Sequence, residues 1–92
     1  CLPNNIVVEV PGILNKNGVN GIRLENYPTT FESLLNNQAG TIELTTDAVL
    51  NKSKQSAYQA LLADPVVDDP TSAEKLLDKM IICQKEYLAY LK

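Results

Sequence analysis

Residues 5–24 read Asn5-Ile6-Val7-Val8-Glu9-Val10-Pro11-Gly12-Ile13-Leu14-Asn15-Lys16-Asn17-Gly18-Val19-Asn20-Gly21-Ile22-Arg23-Leu24, and they decide the fold class. The β-branched run Ile6–Val10 predicts a strand, and its near-continuous apolar character predicts that both faces are covered. Pro11 has no N–H to give a ladder, so it marks an edge, a bulge or the end of that strand. Ile13 and Leu14 resume the apolar pattern. Asn15-Lys16-Asn17-Gly18 supplies turn chemistry, with Asn17-Gly18 suited to the positive φ of a tight hairpin. Val19–Leu24 returns as the second strand, with Gly21 its weak point. Two strands do not hold themselves together in water. This hairpin therefore needs a third strand, helices or another chain.

Downstream the period changes from strand to helix. Pro28-Thr29-Thr30-Phe31-Glu32 predicts a helix start, with Thr29 as N-cap and Glu32 completing a capping box. The helix spans about 30–50 on the stripe Phe31, Leu34, Leu35, Ala39, Ile42, Val49 and Leu50. Gly40, Thr41, Thr45 and Thr46 are poor helix formers, costing together ~2–3 kcal/mol against alanine. Tertiary packing must hold such a helix, and Gly40 marks a close approach of another backbone. Gln38 falls on the stripe, where a buried amide needs partners. Asn51 and Ser53 break and restart the pattern. A short helix follows over 54–63, with Ala57, Tyr58, Leu61 and Leu62 on one side, and Asp64-Pro65 stops it. Thr71 with Glu74 predicts a second capping box, opening a last helix over 72–91. Its wide apolar stripe includes Ala73, Leu76, Leu77, Met80, Ile81 and Leu88. No repeat, low-complexity tract or domain boundary interrupts this order. The reading is one α+β, mostly helical domain over residues 1–92: a hairpin at about 5–24, then long, short and long helices.

Composition narrows the function. The chain has 92 residues, room for one small domain near the lower edge of the usual size range. Eight Lys and Arg against eleven Asp and Glu give a net charge of −3, which argues against a nucleic-acid footprint. The sequence holds no histidine. That excludes a Ser-His-Asp triad, a Cys-His dyad and any His-containing metal site within it. No apolar run approaches the ~18 residues of a membrane span. The mixed charges of the last helix favour core or partner packing over a membrane surface. Two cysteines, Cys1 and Cys83, are too few for a disulfide framework and lack zinc spacing. Cys83, beside Ile81 and Ile82, is expected as a buried or half-buried free thiol. A Cys1–Cys83 bridge stays open. This cysteine usage fits a reducing, cytoplasmic location. The chain begins at Cys1 without an initiator Met, so it is expected to be a fragment or a processed product. A lipoprotein domain and a free-standing helical interaction module are the alternatives.

Candidate chemistry is sparse. Asp68-Asp69 reads as a solvated loop rather than a carboxylate pair for glycoside cleavage. Glu9, an acid in an apolar strand, needs a partner or a shifted pKa if buried. Arg23 on the second strand can face it across the ladder, which makes its role structural, with a role near a site as the alternative. Gly12, Gly18 and Gly21 follow no phosphate-loop spacing. Tyr27, Tyr58, Tyr87 and Tyr90 are spaced as core or interface residues. No catalytic, cofactor-binding or metal-binding residue is assigned.

Three motifs in order point to a family. Val7-Val8-Glu9-Val10-Pro11 followed by Asn15-Lys16-Asn17-Gly18 resembles the stretch near the carboxy end of glycoside hydrolase family 4. Ile42-Glu43-Leu44-Thr45-Thr46-Asp47-Ala48-Val49-Leu50 is similar to that family's "ELTVEAAL" helix. Tyr58-Gln59-Ala60-Leu61-Leu62-Ala63-Asp64-Pro65 is similar to its "YQALLLDP" helix and proline stop. The resemblance covers about residues 5–92. It implies a parent enzyme with an amino-terminal NAD-binding half and a fold resembling lactate and malate dehydrogenases. It also implies a divalent metal, usually manganese, held by a Cys and a His. Glycoside cleavage would proceed by transient oxidation at C3 and elimination. The wording looks closer to the α-galactosidase, α-glucosidase and α-galacturonidase branch than to the 6-phospho-glycosidases. The family's cofactor glycines, metal ligands and catalytic acid and base all precede the matching segment, and Cys83 does not match the metal cysteine. The expected role is therefore structural. The partners would be the rest of the parent chain or a second subunit in a homo-oligomer, with no hydrolase activity in this segment alone.

Overall fold

Around Asn15-Lys16-Asn17-Gly18 the chain folds back on itself as a hairpin. The computed structural model describes residues 2–92. Strand β1 (Gly12–Asn15) runs antiparallel to β2 (Gly18–Gly21). Gly12 faces Gly21, Ile13 faces Asn20, Leu14 faces Val19 and Asn15 faces Gly18. The Ile22 N–H donates to the Pro11 carbonyl at 2.7 Å, adding one step to the ladder. At the tip, the Asn17 N–H donates to Asn15 Oδ1 at 2.8 Å, so the asparagine side chain stands in for a backbone turn. Positive φ falls here on Gly18 alone, at 106°. Neither central residue, Lys16 nor Asn17, has positive φ, so the two-residue turn is not one of the primed types, which need it at the first or at both central positions.

The expected strand Ile6–Val10, covered on both faces, is not formed. Residues 7–10 carry no ladder, and Val7 is 96% exposed. The strand reading fails because pairing starts only after Pro11, and the described residues supply no third strand to lie beside this segment. Val10 instead reaches over Gly21, where a Cβ would sit 3.0 Å from Val10 Cγ2. Gly21 is thus less a weak point than room for a neighbouring side chain.

The described residues up to 36 form one compact unit and residues 37–92 a second. In the first, the described residues other than Leu2, Ile6 and Glu32 are exposed. Tyr27 and Phe31 meet with ring centroids 6.4 Å apart. Helix α1 (Thr29–Leu50) starts here. Its Glu32 N–H donates to the Pro28 carbonyl at 3.1 Å, which puts Thr29 in the first turn rather than at the expected N-cap. The shift is one residue, the usual scatter of a helix boundary.

The second unit carries the buried residues: Ala39 and Ala48 on α1, Ala60, Ala73 and Leu77. The mid-helix threonines of α1 are accommodated by back-bonding. Thr41 Oγ1 donates to Asn37 O at 3.2 Å, Thr45 Oγ1 to Thr41 O at 2.8 Å, and Thr46 Oγ1 to Ile42 O at 3.0 Å. Each hydroxyl is satisfied four residues back, a bond open to threonine in a helix that slightly destabilises it. Gly40 has open space where a Cβ would go, and Gln38 is exposed. The expected close backbone approach and buried amide are thus both absent. Much of the α1 stripe is also exposed, including Ile42 at 54% and Val49 at 53%, because the inward face is set by the alanines instead.

Helix α1 ends in a Schellman turn. The Ser53 N–H donates to Ala48 O at 3.0 Å and the Lys52 N–H to Val49 O at 3.4 Å. Lys52 takes the left-handed conformation, φ 54°, that this motif needs at the residue past the cap. Helix α2 (Lys54–Ala63) follows with Ser53 as N-cap, its side chain accepting from the Ser56 N–H at 3.1 Å. The Asn37 side-chain amide donates to Ala63 O at 3.0 Å and ties α2 back to α1. Asp64 is the C-cap, with extended backbone before Pro65, as the proline demands.

The last helix differs from expectation at both ends. Helix α3 (Pro70–Cys83) begins at Pro70, with Asp69 as N-cap. The Asp69 carboxylate accepts from the Thr71 N–H at 3.1 Å, the Ser72 N–H at 3.2 Å and the Ser72 hydroxyl. The expected Thr71–Glu74 box is displaced because Asp is as good a cap and Pro70 is preorganised for the first helical position. Helix α3 stops at Gln84, φ −112° and ψ 36°, before one further turn, α4 (Lys85–Leu88). The single helix over 72–91 is thus broken in two. The break turns the chain so that Lys92 bonds Lys52 and Lys54 through its backbone, and tertiary pairing overrides the uninterrupted apolar period. Helix α2 packs on α3, and α3 on α4.

Candidate functional site

The sequence singles out Glu9, Arg23, Asp68, Asp69 and Cys83 as the groups closest to chemistry, and the structure scatters them. Glu9 and Arg23 lie outside the two strands, and both are exposed. Extending the observed register past Gly12–Gly21 would set Val10, not Glu9, opposite Arg23. The expected Glu9–Arg23 pair is therefore not formed, and Glu9 is a solvated acid that needs no partner. Asp68 and Asp69 part company. Asp69 caps α3, and its bond to the Ser72 side chain, helped by the Thr71 and Ser72 N–H groups, holds its carboxyl below the ordinary aspartate value. Hydrogen bonds to the charged form lower a carboxyl pKa in this way. Cys83 is exposed, against the expectation of a buried or half-buried thiol. It is the last residue of α3, where the chain turns away from the helix axis. Its pairing with Cys1 lies outside the described residues.

One concave feature stands out on the second unit. A cleft of about 260 Å³ is lined by Lys54, Gln55, Tyr58, Glu74, Leu77 and Lys92. Its polar groups are largely committed to structure. Lys54 Nζ pairs with Asp78 at 2.5 Å, and the Tyr58 hydroxyl donates to Pro70 O at 3.2 Å. The cleft is the seam where α2 meets α3, and it gathers no nucleophile beside a base. The sequence marked Tyr58 and Leu77 as packing residues, which they are. The capping role of Asp69 and the backbone turn at Lys52 were not legible as such. The only signals available for them were Pro70 after Asp69, and the Asn51-Lys52-Ser53 interruption of the apolar period.

The cofactors implied by the resemblance can be tested against these residues. No group of three or more Cys, Asp or Glu side chains among the described residues is placed to hold a metal ion. The chain has no histidine. The glycines serve the hairpin and an open position on α1, not the helix-opening loop that cradles a dinucleotide. Among the described residues, no such metal-ligand group and no such dinucleotide loop is placed.

Comparison with known proteins agrees with the motifs. Residues 1–67 match the family 4 glycosyl hydrolase C-terminal domain. An alpha-glucosidase from Erwinia rhapontici is 40% identical over 91 residues, 99% of this chain and 20% of that protein. The phospho-alpha-glucosidase PagL from Clostridium acetobutylicum is 34% identical over 83 residues, 90% of this chain and 19% of its own. A probable 6-phospho-beta-glucosidase from Bacillus subtilis is 26% identical, covering 95% of this chain and 20% of its own. No solved structure matches the chain. The chain spans about a fifth of the length of these curated relatives. With the three motifs in order and a match over residues 1–67, the chain belongs to glycosyl hydrolase family 4, in the region of its C-terminal domain.

Proposed function

We propose that this chain serves as the carboxy-terminal portion of a family 4 glycosidase, supplying helices and sheet-completing backbone rather than catalytic groups. The observation that carries the reading is the match over 99% of this chain but only 20% of the alpha-glucosidase relative. The exposed apolar side chains on α1 support it: Ile42, Val49 and the 73% exposed Leu50 are surface that a larger protein would cover.

In this proposal the parent hydrolyses α-glycosides, with α-glucosides the substrate class suggested by the 40% identical relative. It does so by the NAD-dependent oxidation and elimination that sets the family apart from two-carboxylate glycosidases. NAD and manganese would be held by residues outside this segment, in a dehydrogenase-like fold working in the cytoplasm. Among the described residues, no helix is long and apolar enough to cross a membrane. The segment's partners are then the remainder of the parent chain and a second subunit.

Two measurements test the proposal. A chromogenic α-glucoside is offered to the purified chain with NAD and manganese; no turnover is expected, and turnover would overturn the reading. Sedimentation of the chain at high concentration reports on the uncovered surface. Self-association is expected, and a strict monomer that binds no hydrophobic dye would remove the missing-partner argument.

A further inference from the structure

We propose that residues 84–92 form a strap that locks the junction between α1 and α2. The junction is the short link from the end of α1 through Lys52, which holds φ 54°, to the first residue of α2. Lys92 grips it from both sides. The Lys92 N–H donates to Lys52 O at 3.1 Å, and the Lys54 N–H donates to Lys92 O at 2.9 Å. Lys54 is the first residue of α2, and its amide has no acceptor inside the helix. The strap supplies that acceptor from a residue far away in sequence.

Three features make this a strap rather than a fraying end. The helix break at Gln84 redirects the chain. Helix α4 carries it one turn, closed by the Ala89 N–H to Lys85 O bond at 3.2 Å and followed by the Leu91 N–H to Leu88 O bond at 3.1 Å. Leu88, Tyr90 and Leu91 are half-buried in a unit with few covered side chains. Lys92 also lines the α2–α3 cleft, so the strap forms one of its walls. Seated, it fixes the direction in which α2 leaves α1. Released, it frees the Lys54 amide and leaves Lys52 in a strained conformation with fewer bonds to hold it. This inference does not depend on the glycosidase reading.

Amide hydrogen exchange on the full 92-residue chain tests it. The Lys54 amide is expected to exchange about fivefold more slowly than an unbonded helix-start amide, the worth of one ordinary hydrogen bond. Deletion of residues 89–92 should abolish that slowing and leave the Ala60 amide, deeper in α2, unchanged. A Lys92→Pro variant removes one of the two grips while keeping the chain length, and should accelerate Lys54 in the same direction. It decides the matter if the deletion unfolds α2. A Lys54 amide that exchanges freely in the full chain, or Lys54 and Ala60 accelerating together in Lys92→Pro, would overturn the strap.

Discussion

Replacing Lys52 with glycine should stabilise the protein. Lys52 holds φ 54° at the residue past the α1 cap, where its N–H and that of Ser53 bond Val49 O and Ala48 O. An L-residue in this region costs about 1–2 kcal/mol. Glycine removes that cost and returns about 0.5–1 kcal/mol of it through the freer unfolded chain. The net expectation is a gain of about 0.5–1 kcal/mol. The Lys52 side chain is exposed and no ion pair joins it to a described residue, so its loss subtracts little. Urea unfolding followed by far-UV circular dichroism measures the effect. With a slope of about 1 kcal/mol per molar, the midpoint should rise by about 0.5–1 M. Lys52→Ala is the control: it deletes the side chain but keeps the Cβ, so its midpoint should stay near the parent value. A fall or no change for Lys52→Gly, or an equal rise for Lys52→Ala, would refute the strain argument.

The remaining predictions concern the caps and the core. Leu77, 6% exposed, is the one large aliphatic side chain among the described buried residues. Leu77→Ala should cost about 2–3 kcal/mol, read as a lower urea midpoint. Ser53→Ala removes the acceptor for the Ser56 N–H and should cost about 1 kcal/mol in the same assay. Asp69 makes stability depend on pH. Its folded pKa lies below the ordinary aspartate value, so its contribution is complete above that value and is lost as pH falls through the depressed one. Asp69→Asn keeps a capping side chain without titrating. Thermal unfolding scanned below about pH 4 should therefore fall less steeply for Asp69→Asn than for the parent.

Periodicity made α1 and α2 legible nearly to the residue, because the Phe31–Leu50 stripe and the Asp64-Pro65 stop are local signals. The strand predicted over Ile6–Val10 is absent for a non-local reason. β-propensity marks residues that suit a pleated surface, but the ladder needs a partner, and the described residues place none there. The uninterrupted final helix failed similarly. Nothing between Gln84 and Lys92 breaks the apolar period, while the two backbone bonds of Lys92 to the α1–α2 junction are invisible in a one-dimensional pattern. The α1 stripe was found as a pattern but not as a burial state: which of its faces is covered depends on neighbours the sequence does not name. At the candidate site, the exclusion of histidine chemistry could be read from composition. The exposure of Cys83 and the lack of a Glu9–Arg23 pair could not, since both depend on where the chain turns.

The unpaired stretch Val7-Val8-Glu9-Val10 has a consequence for handling the chain by itself. A short β-branched segment with open backbone groups is a template on which other copies can stack edge to edge. The lone acid limits this. Stacking the segment in register would bring Glu9 carboxylates from successive copies within about 5 Å of each other, and Pro11, with no N–H to offer, ends the stackable stretch. The exposed Glu9, which pairs with nothing across the hairpin, thus acts as a gatekeeper against aggregation.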